Sequence, residues 1–242
     1  FVIAPITAVV MKSFVVGEQV TLEAWRLVLS GNVGDSVRSS LRVASLAGPI
    51  AVVLACAATL TIVRLPAAGR VLDALSVAPL AISPVTLGLG LVVTFDTDWY
   101  DWRSEWWFVA VAHTLVAFPL AVRVLIPAWK SVPSRLHDAA ATLGAGEIRR
   151  LFDVDLRLIR RALIGSLGIV VAVSVGEFGA ASLLSRRGAE TMPVIIARLL
   201  TRTGDLVRAQ AFVLATLLIV VCICALALVE ASLGRQNRAT SH

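Results

Sequence analysis

The residues able to do chemistry in this 242-residue chain are few and scattered. Its three histidines, His113, His137 and His242, show no metal-ligand spacing. Cys56, Cys222 and Cys224 all fall inside apolar runs, as small core residues do, and make no disulfide framework. No G-x-x-x-x-G-K-[ST] phosphate loop occurs, so the chain cannot hydrolyse ATP by that device. No catalytic group, metal site or cofactor is expected. Two polar residues stand out because of their surroundings. Glu177 lies in an apolar run, where an acid is costly and by default suggests function. It stands 15 residues after Ala162, and His113 stands 16 before Trp129. At about 1.5 Å per helical residue, both lie roughly 22–24 Å from the same edge of their helices. Glu177 and His113 can therefore pair, or line a passage together. A structural role, with Glu177 held by backbone groups or by His113, is the competing expectation.

The elements that must position these residues are membrane spans. The chain is 58% hydrophobic and only 16% charged, whereas a soluble domain averages about 25% charged. That excludes an ordinary soluble enzyme and a disordered protein. Residues 43–63, 74–95 and 209–229 carry no charge, 106–129 only Arg123, and 162–185 only Glu177. Each run meets the roughly 20 residues a helix needs to cross the hydrocarbon layer. Residues 1–16 are apolar up to Lys12 but too short to span, and lack the basic start and cleavage site of a signal peptide. They are expected to be the second half of a truncated span in a longer polypeptide. The expected fold is all-α: a polytopic helical bundle of five complete spans plus a truncated first one. It occupies residues 1–234, with 235–242 as a tail. Pro49, Pro79, Pro84, Pro119 and Pro127 lie in or at the ends of spans, where they are expected to act as simple kinks. Trp99 (outside the residues the structure describes), Trp102, Trp106, Trp107 and Trp129, with Tyr100, suit the headgroup level, while Trp25 has no evident place.

Charge then sets orientation. Residues 63–73, 130–161 and the tail sum to +6, whereas the alternate loops sum to −1. The positive-inside rule places the first set in the cytoplasm, although the Arg-rich stretch 186–208 opposes it. The basic excess is thus a topological signal, and no nucleic-acid partner is expected.

The most informative polar segment is 130–161, KSVPSRLHDAAATLGAGEIRRLFDVDLRLIRR. Pro133 and Ser134 signal a helix start with Ser134 as cap, and Gly144 signals its stop. A longer amphipathic helix should follow, with Ile148, Leu151, Phe152, Leu156 and Ile159 on one face. Such a segment is a docking surface for a partner, or a helix lying on lipid headgroups.

The Asp138-Ala139-Ala140 run with Gly144 resembles the EAA loop of permease subunits of ABC importers. Residues 79–95 and 110–145, and the start APITAVVMKSF, are similar to the spans of that family. Its usual Glu is here Asp138, and its usual Leu-Pro is here Leu156-Arg157. Leu156-Arg157 and GEFGAASLL (176–184) are similar to the thiamine and ferric-iron branch, in which two six-span halves are often fused.

The resemblance implies that Asp138 is the charged contact to a cytoplasmic ATP-binding subunit. Ala139 and Ala140 would permit close approach, and Gly144 would make the turn. It further implies an extracytoplasmic substrate-binding protein, a second permease half and a multi-pass place among the lipids of the bacterial plasma membrane. ATP would be bound by the partner alone. Residues 192–201 resemble a short outer helix facing the binding protein, with Arg186, Arg187 and the acidic loop 96–105 as candidate contacts. The implied cargo is thiamine or ferric iron. The rivals are an ion-coupled secondary transporter or channel, for which only Glu177 speaks and no repeat is visible, and a membrane-embedded enzyme, for which no residue cluster speaks.

Overall fold

Four helices are long and apolar enough to cross a membrane in the computed structural model, which describes residues 3–31, 33–97, 100–186 and 189–237. They are α3 (Asp35–Arg64), α6 (Trp106–Lys130), the continuous run that ends as α9 (Leu156–Gly176), and α12 (Asp205–Asn237). The helix of the run begins with α8 (Glu147–Arg150) and passes through a π-helical turn at Leu151–Asp155 before α9. A bent pair, α4 (Pro66–Ala81) and α5 (Pro84–Thr94), is together long and apolar enough for a fifth, broken span or a re-entrant loop. Shorter helices complete the chain: α1 (Ile3–Lys12), α2 (Glu23–Ser30), α7 (Ser134–Thr142), α10 (Gly179–Leu184) and α11 (Met192–Leu200). Two minimal antiparallel hairpins, Val15–Val16 with Gln19–Val20 and Asp96–Thr97 with Tyr100–Asp101, decorate the loops.

The span expected over 74–95, with simple kinks at its prolines, differs here: its first helix starts at Pro66, and the bend is far sharper than a kink. Its two halves meet at 101°. Ile82 and Ser83 are extended, with ψ near 135° at both (Ser83 φ −60, ψ 136). The cause is Pro84, whose ring disfavours the helical conformation of the residue before it and which has no N–H to continue the ladder. Pro49, Pro79, Pro119 and Pro127 lie inside continuous helices, whereas the helix is interrupted before Pro84.

The span expected over 162–185 also differs. Its helix begins at Glu147, well inside the polar segment, and stops at Gly176. The amphipathic helix and the span are therefore one rod. At the chain's start the ten-residue α1 is followed by a hairpin that reaches Val20, and α12 runs beyond the expected 209–229 at both ends.

Helix α6 is the most buried of the long helices, with buried residues from Phe108 to Trp129 and an exposed edge at Val111, Leu115, Arg123 and Pro127. Small residues let its neighbours approach. Ala47, Ala51 and Ala55 repeat every four residues on α3, and Ala51 and Ala55 share one cluster with Ala117 and Ala121 of α6. Close backbone packing of this kind is how helices associate where lipid removes the hydrophobic drive. The same logic fixes α5 against α10. A Cβ added to Gly88 would lie 2.8 Å from Ala180 Cα. A second cluster joins α12 to α2 and α11 through Val28, Met192, Ile195, Leu199, Val213 and Leu214. Trp25 finds its place beside this cluster, stacked on Phe14 at 5.5 Å. Trp102 and Trp107 join Phe95 and Phe108 in an aromatic knot over the start of α6.

Candidate functional site

Two arrangements carry the residues singled out in the sequence, one at each end of the α9 rod. The first is the docking loop. α7 spans Ser134–Thr142, and Ser134 is its first helical residue rather than its cap. The cap position falls to Pro133, extended at ψ 131 and without a side-chain cap hydrogen bond. Gly144 ends the segment as expected. Its φ is +77, and Gly144 N–H donates to the Ala141 carbonyl (2.9 Å) while Ala145 N–H donates to that of Ala140 (3.0 Å). This is the left-handed Schellman closure, which suits glycine because a Cβ is disfavoured at positive φ.

The loop presents its residues outward. No residue of α7 is buried. Asp138 and Ala139 are exposed, Ala140 is half-buried, and Asp138 makes no ion pair among the described residues. Leu143 is 87% exposed, and Ile148 and Phe152 are also exposed. A free carboxylate on a segment that also exposes large apolar side chains is the composition of a protein-docking surface. The sequence placed Ile148 and Phe152 on an apolar helical face, but it did not single out Leu143.

A second feature of this end was not foreseen. Asp155, with a side chain 0% exposed, accepts from Arg64 Nη2 at 3.1 Å through one oxygen. Its other oxygen lies 2.6 Å from His137 Nε2. The last residue of α3, the middle of α7 and the start of α9 thus meet on one carboxylate. The available signal was an acid in the apolar phase of the helix, four residues after Leu151 and four before Ile159. Nearby, Arg123 meets Asp73 at 3.0 Å.

The other arrangement is a polar node in the bundle. Where α9 ends, Glu177 is extended (φ −71, ψ 127) and α10 begins two residues later. Its carboxylate accepts from the backbone N–H of Ala180 (3.0 Å) and Ala181 (3.1 Å), one per oxygen. These are orphan donors of a helix start, which an anionic side chain satisfies well. His113 Nε2 lies 3.4 Å from Glu177 Oε2, and His113 Nδ1 lies 2.9 Å from Ser174 Oγ. The side chains of His113 and Glu177 are 1% and 5% exposed. The helical-rise arithmetic thus brings together two residues 64 positions apart, and Ser174 joins them.

At the outer loops, Arg186 meets Asp101 of the acidic loop at 2.7 Å, both half-exposed. Arg187 lies outside the described residues. The short helix expected over 192–201 is α11, and Arg198 within it pairs with Glu190. Among the described residues no group of three or more potential metal ligands comes together.

Comparison with known proteins gives this architecture a family. A model of the binding-protein-dependent transport system inner membrane component matches residues 47–236. The molybdenum transport system permease protein ModB of Escherichia coli (strain K12) is 31% identical over 166 residues, covering 64% of this chain and 72% of that protein. The sulfate transport system permease protein CysW of Synechococcus elongatus is 29% identical over 242 residues, covering 90% and 84%. The putative 2-aminoethylphosphonate transport system permease protein PhnV of Salmonella typhi is 28% identical over 124 residues, covering 51% and 47%. In fold, the chain is similar to a bacterial alginate ABC transporter solved with an alginate-bound periplasmic protein. The TM-score is 0.69 at 18% identity, covering 100% of this chain and 90% of that one. The chain therefore belongs to the binding-protein-dependent transport system inner membrane components, the non-enzymatic permease subunits of ABC importers.

Proposed function

We propose that this permease imports a small oxyanion, with α7 and Gly144 docked on a cytoplasmic ATP-binding subunit. A periplasmic binding protein would deliver the solute from outside, contacting Arg186 and its neighbours, and a second permease half would complete the passage. The observation that carries the docking reading is the exposed loop, with Asp138 unpaired among the described residues and Leu143 87% exposed. The substrate reading is supported by the names of the relatives, which include molybdenum, sulfate and aminoethylphosphonate. It is supported again by Arg38 and Arg42. They stand one helical turn apart on the outer end of α3 and line a groove of about 790 Å³ with Ser30, Ser45 and Asp35. Neither makes an ion pair among the described residues. Unpaired guanidinium groups suit planar or tetrahedral oxyanions, to which they donate in pairs.

A second reading, thiamine or ferric iron, is favoured by Leu156-Arg157 and by residues 176–184. Against it stands the commitment of both Glu177 oxygens to backbone N–H groups, which leaves that acid poorly placed to receive a cation. Uptake into proteoliposomes of the assembled importer separates the two. Labelled molybdate or sulfate should enter on addition of MgATP, and Arg38→Ala with Arg42→Ala should lower that uptake about tenfold, the worth of one charged hydrogen bond. Uptake of thiamine or ferric citrate that ignores both substitutions would sink the oxyanion reading.

A further inference from the structure

The docking helix is attached to the bundle by very little. α7 buries no residue, and among the described residues the side-chain polar tie that leaves it is His137 to Asp155. Asp155 is fully buried and also holds Arg64, the final residue of α3. A cation at that place is favoured by the carbonyl end of the helix. Asp155 closes a π-helical turn, Leu151–Asp155, at the foot of the α9 rod. Such turns replace the regular helical ladder and recur at functional positions. At about 1.5 Å per residue the rod rises about 30 Å from there to the node of Ser174, Glu177 and His113. One carboxylate thus joins the surface that a partner would move to the two helices α3 and α9.

We propose that Asp155 is the positioning residue that carries displacement of the docking helix into α3 and α9, so that it sets how much ATP hydrolysis moves the spans. This rests on the docking reading above. Each oxygen has a separate task. The Arg64 contact ties α3 to α9 and belongs to the fold. The His137 contact ties α7 to both and belongs to transmission. Removing the second while keeping the first separates coupling from stability.

The test uses the complete importer in nanodiscs, with MgATP as the probe. A cysteine at Ser182, exposed on α10, is introduced after replacing Cys56, Cys222 and Cys224. Its labelling rate by a membrane-impermeant maleimide is measured with and without MgATP and vanadate. Co-purification of the ATP-binding subunit is measured beside the labelling, so that lost docking and lost transmission are told apart. His137→Ala should leave thermal stability near the unsubstituted value, since Arg64 still holds Asp155. It should shrink the ATP-dependent change in labelling about tenfold, the factor expected for a lost charge-assisted hydrogen bond. His137→Gln, which restores an N–H donor, should recover much of that change. Asp155→Asn should lose the change and lower stability as well, because Arg64 is left beside a neutral group. A labelling response in His137→Ala equal to that of the unsubstituted chain overturns the proposal. If the unsubstituted chain gives no response while the ATP-binding subunit stays off the complex, the docking reading itself fails, and the joint falls with it.

Discussion

Gly144→Val is expected to lower ATP-driven uptake about tenfold while leaving the spans folded. Gly144 has φ +77, and no atom lies within 4 Å of the Cβ it lacks. The cost of substitution is therefore conformational and not steric against a neighbour. A left-handed residue with a side chain costs roughly 1–2 kcal/mol, and a β-branched one more, because its second γ substituent crowds the backbone. The turn escapes that cost by giving up its two closing hydrogen bonds, from Gly144 and Ala145 to the carbonyls of Ala141 and Ala140. α7 would then run on, and Asp138 and Leu143 would change place relative to Ile148 and Phe152 on the docking face. Each 1.4 kcal/mol is a factor of ten in docking. Gly144→Asn, which tolerates the left-handed region, should retain most of the uptake. The measurement is MgATP-dependent uptake beside thermal unfolding in detergent. Equal losses for Val and Asn would show that the turn geometry is not what matters.

The second large effect is expected at Glu177. Its two oxygens satisfy two buried N–H groups at the start of α10, and its neighbour His113 is 1% exposed. Glu177→Ala leaves both donors unpartnered, at roughly 1–3 kcal/mol each. The start of α10 should loosen, and thermal unfolding in detergent should fall by several degrees. Glu177→Gln keeps one acceptor oxygen and should lose about half as much. We expect uptake per folded molecule to stay within about twofold for the Gln variant, since the carboxylate is spent on the backbone. Uptake that falls far more than stability would instead assign Glu177 a direct part in the passage, as its place in an apolar run first suggests.

How much of this was legible in the sequence depends on the kind of interaction. The spans were readable because lipid demands long apolar runs with few or no charges, and the positions of α3, α6 and α12 follow from that. The turn at Gly144 was readable because it is local. The bend at Pro84 was not read correctly. Charge-free length says nothing about direction, and the same proline chemistry keeps Pro119 within a helix and breaks the chain before Pro84. The approach of Glu177 to His113 could be anticipated from helical rise within neighbouring antiparallel spans. The involvement of Ser174 and the capping of α10 depended on a helix stop at Gly176 that nothing in the apolar pattern marks. Asp155 was the hardest. Its partners lie 91 and 18 residues away, on elements whose packing no periodicity specifies. An acid amid arginines looks like one more surface charge until the fold buries it.

The central claim is that the chain has no motor of its own and is driven by a separate ATP-binding subunit through residues 134–145. Uptake by proteoliposomes tests it most directly, with the importer assembled with an intact ATP-binding subunit or with one whose phosphate-loop lysine is replaced. Uptake should require MgATP inside the compartment that faces α7, should stop with the altered subunit, and should be indifferent to ionophores that collapse ion gradients. Uptake that continues with the altered subunit and disappears with the ion gradient would contradict the claim.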